Sequence, residues 1–475
     1  MSVDYDLIIF GATPAGVQAA IAAATLKARV ALILQGITPA DLPAAVPHYA
    51  WLDLASRLET QPPGNLLGSP FCSSDQLSDW TAAITANVEA ACSASGLAHR
   101  GIDVIADMGE FCRQPAIGVR VGNRRLQARG YLLAMGVCSW IPAIAGLETA
   151  GYLTSEMLHT QIQKLAACQT ITIIGSGKTA VELAQTLIRF GMGVTLMTQH
   201  DSLLPAADIE AARLIQAQLE AEGVRVLLKT SIAQVRSHGG KKQLQMNHQT
   251  LTTDEIIVAA GHSPNVKSLN LEAAGVRWNA NGIWHNAKLQ TTNPRVYVCD
   301  GQLGTESVTQ VAKQEAAIAL RNILFFPTST MDYCTIPLTV HTSPNLAWLG
   351  LTEAQARQKY GKHLYVLRQS FNVLPQAQIR NDLTGLCKLV IHRNGTILGG
   401  HIIGAFASEW IGLLAFAMQQ NLKIQAIASL PLPSPTLAEI LQYTAIDFRC
   451  LQLKHNHRLR DLFDYFFDLR RAWFR

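Results

Sequence analysis

Two short runs of apolar, β-branched residues organise the first half of the chain. Residues 5 to 10 (Tyr-Asp-Leu-Ile-Ile-Phe) read as a strand buried on both faces, followed by a glycine-bearing turn and an Ala-rich helical stretch from Val17 to Leu26. The pattern returns at Ile171 to Ile174, then Gly-Ser-Gly, a helix over Thr179 to Phe190 and a strand over Val194 to Met197. Each is a βα unit, and two of them predict two dinucleotide folds. Glu255 to Ala260, Gly282 to His285 and Arg295 to Val298 read as further strands, separated by Gly, Asn and Pro turns. From about residue 331 the pattern changes to strands at 338 to 342, 364 to 371, 387 to 392 and 397 to 403, then a helix over 408 to 420. That predicts an antiparallel sheet packed with helices, with a boundary near 330.

At 475 residues and 49% hydrophobic composition the chain can bury two to four cores, and a net charge of +5 is far too mild for a nucleic-acid binder. Met1 to Asp6 lacks a basic leader region, so a cytoplasmic protein is expected. The longest apolar stretch, Thr396 to Met418, is interrupted by His401, Glu409 and Gly399-Gly400, and reads as a strand and a buried helix rather than a span. Nine cysteines lie at 72, 92, 112, 138, 168, 299, 334, 387 and 450, with no CxxC or CxxxxC pair; they read as reduced core thiols, and no metal site is expected.

The first glycine turn is Gly11-Ala12-Thr13-Pro14-Ala15-Gly16. Gly11 permits the strand-to-helix turn, Gly16 permits close packing, and the helix N-terminus offers N–H groups to a pyrophosphate. Thr13 stands where backbone would meet the pyrophosphate as glycine, and Gln35 stands where an acid would bond the ribose. The second turn, Gly175-Ser176-Gly177-Lys178-Thr179-Ala180, fits G-x-G-x-x-A and is the stronger copy. Its Gly-Lys-Thr is no phosphate loop of the ATPase kind, because position 172 is Thr rather than Gly. Thr198, Gln199 and His200 occupy the end of the next strand, where neither an acid nor an Arg chooses between NAD and NADP.

In order, these motifs resemble the pyridine nucleotide-disulfide oxidoreductase family of lipoamide dehydrogenase, glutathione reductase and mercuric reductase. The resemblance runs from about residue 4 to 450. It includes Ala134-Met135-Gly136-Val137, Ala259-Ala260-Gly261-His262-Ser263-Pro264-Asn265 and the flavin segment Thr292 to Asp300. It continues through Thr309-Gln310-Val311-Ala312 with Glu315-Ala316, then Ile336-Pro337, Gly350-Leu351-Thr352-Glu353, Gly385 to Lys388 and Gly399 to Gly404. The resemblance implies an α/β fold with two Rossmann-like domains and a C-terminal α+β dimerisation domain. FAD would be bound by residues 1–150 and 286–330, NAD(P)H by 151–285, and a homodimer formed by 331–450. The implied FAD contacts are Gly11, Thr13, Gly16, Gln35, Gly136, Asp300 (on the ribityl chain) and Thr309 to Ala312. The implied NAD(P) contacts are Gly175, Gly177, Ala180, Thr198 and Gly261. Glu182 matches a glutamate that orients the nicotinamide carboxamide, and Lys178 replaces an aromatic or aliphatic residue, where it could stabilise reduced flavin or simply be solvated.

The departures matter as much. Ile37 to Leu58, where disulfide-reducing members carry CxxxxC and a Lys, has neither Cys nor Lys, and Ser434-Pro435-Thr436-Leu437-Ala438-Glu439 lacks the family's catalytic His. A thiolate relay needs these groups. The expectation is therefore an NAD(P)H oxidoreductase whose acceptor is a quinone, dioxygen or a carrier protein. Its rivals are a non-catalytic nucleotide-binding scaffold, with flavin binding weakened by Thr13, Gln35 and Cys299, and a relay rebuilt from distant thiols such as Cys72 and Cys138. Residues 451–475 form an amphipathic tail in which six basic residues outnumber three Asp by three. It could meet an anionic membrane, or, since Asp461, Asp464 and Asp468 weaken lipid attraction, cover an apolar patch on its own dimer.

Overall fold

The computed structural model describes residues 3–36, 46–57, 79–84, 86, 93–113, 116–158, 160–246, 249–299, 301–303, 306–455 and 457–473. The chain divides into two units: Met1–Leu203 with Leu219–Asp332, and Leu204–Gln218 with Tyr333–Arg475.

In the first unit, β1 (Tyr5–Phe10) leads into α1 (Pro14–Thr25), β2 (Val30–Ile33), α2 (Val46–Arg57), β3 (Ile102–Ile105) and β4 (Ala128–Leu133). β5 (Leu153–Thr154), β6 (Thr170–Ile174), α3 (Lys178–Arg189), β7 (Gly193–Met197), β8 (Arg225–Leu227) and β9 (Glu255–Val258) follow, and β10 (Val296–Val298) and α5 (Thr309–Leu324) close the series; α4 (Ile209–Ala221), between β7 and β8 along the chain, belongs mainly to the second unit. The strands form two parallel sheets, in the orders β10-β4-β1-β2-β3 and β8-β7-β6-β9-β5. In each, the strand preceding the glycine turn lies centrally, so the turn opens at the carboxyl end of the sheet, where ligands bind such folds. Leu7 to Phe10 and Val30 to Leu34 are buried on both faces, which is why they read as unbroken apolar runs. Two small antiparallel meanders, at 109–126 and 232–253, complete the unit.

The second unit is a five-stranded antiparallel sheet, ordered β11 (Leu338–Val340), β12 (Asn345–Gly350), β15 (Ile397–Gly404), β14 (Leu386–His392) and β13 (Leu364–Ser370). The sheet and α6 (Ala407–Gln419), with α7 (Glu439–His455), enclose one core in which Phe371, Leu389, Ile402, Leu414 and Phe448 are buried. The long apolar stretch at 396–418 is thus β15 and α6, as its interruptions predict. Among the described residues no helix is long and apolar enough to cross a membrane. A final helix, α8 (His457–Trp473), follows α7.

Helix α1 begins at Pro14, three residues earlier than the Ala-rich stretch suggests, because Thr13 caps it and Pro14 is preorganised for its first turn. Strand β12 was not legible from alternation. Its central residues are buried on both faces between β11 and β15, which erases the period of two.

Candidate dinucleotide sites

Both glycine turns are built on the same contact. A Cβ on Gly11, whose φ is +96°, would lie 2.3 Å from the carbonyl oxygen of Ala134; one on Gly175 would lie 2.1 Å from that of Ala259. The chain passes the end of the neighbouring strand too closely for any side chain. A Cβ on Gly16 would meet the carbonyl of Gly11 at 2.4 Å, and Ala180 already approaches the Gly175 position at 3.1 Å, so a small third residue is needed in each turn.

The two turns differ at their helix starts. The Thr13 hydroxyl accepts from the Gly16 N–H at 3.2 Å and donates to the Ala134 carbonyl at 2.9 Å, so one first-turn donor of α1 is taken internally. Helix α3 has Gly177 at its N-cap and no side-chain cap, which leaves its first-turn donors directed at whatever lies in front. There a narrow, partly open crevice is lined by Ser139, Ser155, Gly177, Thr179, Ala259, Gly261 and His262. No carboxylate lines it, so it suits a pyrophosphate, and the second turn fits a dinucleotide. The first fits through Gly11 and the α1 N-terminus, with one donor fewer.

The remaining expected contacts are placed as follows. Gln35 adopts a left-handed backbone (φ 57°), and its amide is committed to Gly109, donating to the carbonyl at 2.8 Å and accepting from the N–H at 3.4 Å. Gly136 (φ 65°) lies next to Thr13, whose Cγ2 would be 3.1 Å from an added Cβ. Thr309 to Ala312 open α5, with Val311 buried and Gln310 exposed. Asp300 lies outside the described residues; its neighbour Gly301 donates its N–H to the buried Glu315 carboxylate at 2.9 Å. Thr198 is buried, and its hydroxyl accepts from the His200 N–H at 3.2 Å, leaving Gln199 and His200 exposed at the end of β7.

Lys178 and Glu182 lie one turn apart at the start of α3, 3.8 Å between Nζ and Oε1, with the Glu182 side chain fully buried. Helix α2, which follows β2, packs on α3 here. The Lys178 ammonium stands 5.7 Å from the ring centroid of Tyr49, Trp51 meets Phe190 edge-on at 6.4 Å, and Arg189 donates to the Ala55 carbonyl at 3.2 Å. Part of the Ile37 to Leu58 segment, and Cys72, lie outside the described residues. None of the seven described cysteines forms a disulfide with another described residue; Cys138 is exposed, its sulfur 3.3 Å from the Ser263 hydroxyl.

Sequence reasoning missed Ser139 and Glu156. The Ser139 hydroxyl, on the rim of the crevice, donates to the Glu156 carboxylate at 2.7 Å. Burial works to raise the Glu156 pKa, but hydrogen bonds from Ser139 and Thr154 outweigh it and hold the group below its ordinary range. Ser-Glu after a two-residue strand carries no sequence signal of such a role. Among the described residues no cluster of three or more His, Cys, Asp and Glu could hold a metal.

Two dinucleotide folds, each with its glycine turn, and a separate antiparallel domain define a flavin- and nicotinamide-dependent oxidoreductase architecture. The chain belongs to the pyridine nucleotide-disulphide oxidoreductase family, whose model matches residues 5–316, while its dimerisation domain matches 336–445. Members of the family use FAD and NAD(P)H, and the dimerisation domain supports a homodimer. Relatives include the mercuric reductase of Staphylococcus aureus, 29% identical over 94% of this chain and 82% of that protein. That of Lysinibacillus sphaericus is 31% identical over 72% of this chain and 63% of its own length. Among solved structures, LpdA from Mycobacterium tuberculosis superposes with a TM-score of 0.83 at 23% identity, covering 93% of this chain and 99% of that one, and shares the fold.

Proposed function

We propose that this chain is a cytoplasmic, homodimeric NAD(P)H oxidoreductase that delivers electrons from FAD to an acceptor other than a disulfide: a quinone, dioxygen or a carrier protein. FAD, when bound, supplies the capacity to take a hydride from the nicotinamide and release its two electrons to the acceptor. Gly11, Gly16 and the α1 N-terminus would hold the flavin nucleotide, with Gly136, Asp300 and Thr309 to Ala312 around the rest of FAD. Gly175, Gly177, Ala180, Thr198 and Gly261 would hold NAD(P)H. Glu182 would orient the carboxamide and Lys178 would set a positive charge beside the reacting rings.

The observation that carries this reading is the composition and packing of α2. The helix following β2 contains no cysteine, and it brings Tyr49 over Lys178 and Trp51 against Phe190. Trp51 is buried, but the exposed Tyr49 ring with the Lys178 ammonium beside it suits stacking of a flat acceptor better than thiol exchange.

The test is the visible spectrum of the purified protein before and after anaerobic NADH or NADPH, followed by candidate acceptors. Flavin bands that bleach and return with a quinone, dioxygen or a carrier protein, but not with lipoamide or glutathione disulfide, support the reading. Return with a disulfide, or with mercuric ion, the substrate named by the relatives, overturns the choice of acceptor. Protein that takes up no added FAD would instead favour a nucleotide-binding scaffold, a reading supported by the commitment of Gln35 to Gly109.

A further inference from the structure

Every residue of α8 from Arg460 to Trp473 is exposed, including Leu462 at 60%, Phe466 at 52% and Trp473 at 88%. Leu462, Phe466, Leu469 and Trp473 recur at spacings of four, three and four and share one side of the helix. Asp461, Asp464 and Asp468, at spacings of three and four, take the opposite side. Phe463, Phe467 and Arg470 share the flank between them, and Arg460 and Arg471 stand beside Asp464 on the far side.

We infer that α8 lies flat on an anionic phospholipid surface. The apolar side would enter the acyl boundary and the aromatic-guanidinium flank would sit at the phosphates. The three aspartates, which in the bare sequence argue against lipid, point away from it. Arg471 pairs with Asp468 at 2.9 Å and Arg460 with Asp461 at 3.8 Å, but these exposed pairs contribute little and exchange readily for lipid phosphate. Over residues 451–475 the six cations still exceed the three Asp. The inference is independent of which acceptor the flavin site uses.

The full-length protein would be sedimented with phosphatidylcholine vesicles and with vesicles containing phosphatidylglycerol. The expected result is binding at least about tenfold tighter to the anionic vesicles, weakened at high salt. Phe466→Asp and the pair Arg470→Glu, Arg471→Glu should each remove about tenfold of that binding while leaving the circular dichroism and the dimer unchanged. No binding, or equal binding to both vesicle types, would overturn the inference. Dissociation of the dimer by Phe466→Asp without vesicle binding would assign the apolar side to a second copy and overturn it as well.

Discussion

The ammonium of Lys178 lies 3.8 Å from the buried carboxylate of Glu182, one turn along the helix that opens behind the second glycine turn. On the proposed function this pair acts on the nicotinamide, and it is coupled, since removing the lysine leaves a fully buried acid less compensated. Lys178→Met and Glu182→Gln are each expected to slow anaerobic flavin reduction by NAD(P)H roughly 10- to 100-fold with FAD content unchanged, and Lys178→Arg should recover part of the loss. Stopped-flow bleaching of the flavin bands is the measurement. Unaltered rates would leave both residues with a structural role only.

Gly11 has no room for a side chain, with φ +96° and a Cβ position 2.3 Å from the Ala134 carbonyl oxygen. Gly11→Ala should cost about 3 kcal/mol from left-handed strain and overpacking together, and lower the FAD recovered per chain. Gly240→Ala provides the control. Its φ is also positive (+78°) but nothing lies within 4 Å of the added Cβ, so a loss of only about 1 kcal/mol with full FAD content is expected. Thermal melts and the ratio of visible to ultraviolet absorbance would read both.

The two glycine turns and their strands were legible because their signals are local: buried runs, a required positive φ, a small residue where helix meets strand. The role of Thr13 was not, since its hydroxyl reaches Ala134, 121 positions along the chain. Gln35 was equally opaque; occupying a ribose-binding position says nothing of the Gly109 backbone that holds its amide. The order of strands in the second unit could not be read either. Adjacent β12 and β15 are about fifty residues apart, and pairing at that separation is set by topology, not by alternation.

Lys388 shows how much such long-range pairing can carry. Its side chain is 4% exposed and its Nζ lies 2.8 Å from Asp208, 3.0 Å from Glu210 and 2.9 Å from Glu353. Burial works against the ammonium, but the hydrogen bonds it donates to Asp208, Glu353 and Glu210 outweigh it and raise the pKa. Lys388→Met would leave the buried Asp208 without its cation, while Glu210 and Glu353 keep Arg368, and should destabilise the second unit by about 3 kcal/mol, read as a lower urea midpoint. Adding Asp208→Leu should restore part of the loss. A single variant within about 0.5 kcal/mol of wild type would show that the cluster is solvated enough to do without its cation.

Acid sensitivity is expected to pass through Asp254. Its Oδ2 accepts from the N–H groups of Gln169 at 3.0 Å and Thr170 at 2.8 Å and from the Thr170 hydroxyl at 2.9 Å, while Oδ1 faces Lys241 at 3.2 Å. Burial alone would raise the pKa; these donors outweigh it and lower it to about 2. Because the folded value lies below the unfolded one, near 3.9, the carboxylate contributes stability that is fully present above about pH 5. That contribution is lost as the pH falls from about 4 toward 2, and the shift corresponds to about 2 kcal/mol. Asp254→Asn should therefore unfold about 2 kcal/mol more easily than wild type at pH 7, with the gap closing progressively below pH 4. Denaturant titrations of both proteins across pH 2.5 to 7 would measure it, and a gap that stayed constant with pH would mean that the amide loses packing or geometry rather than a charge.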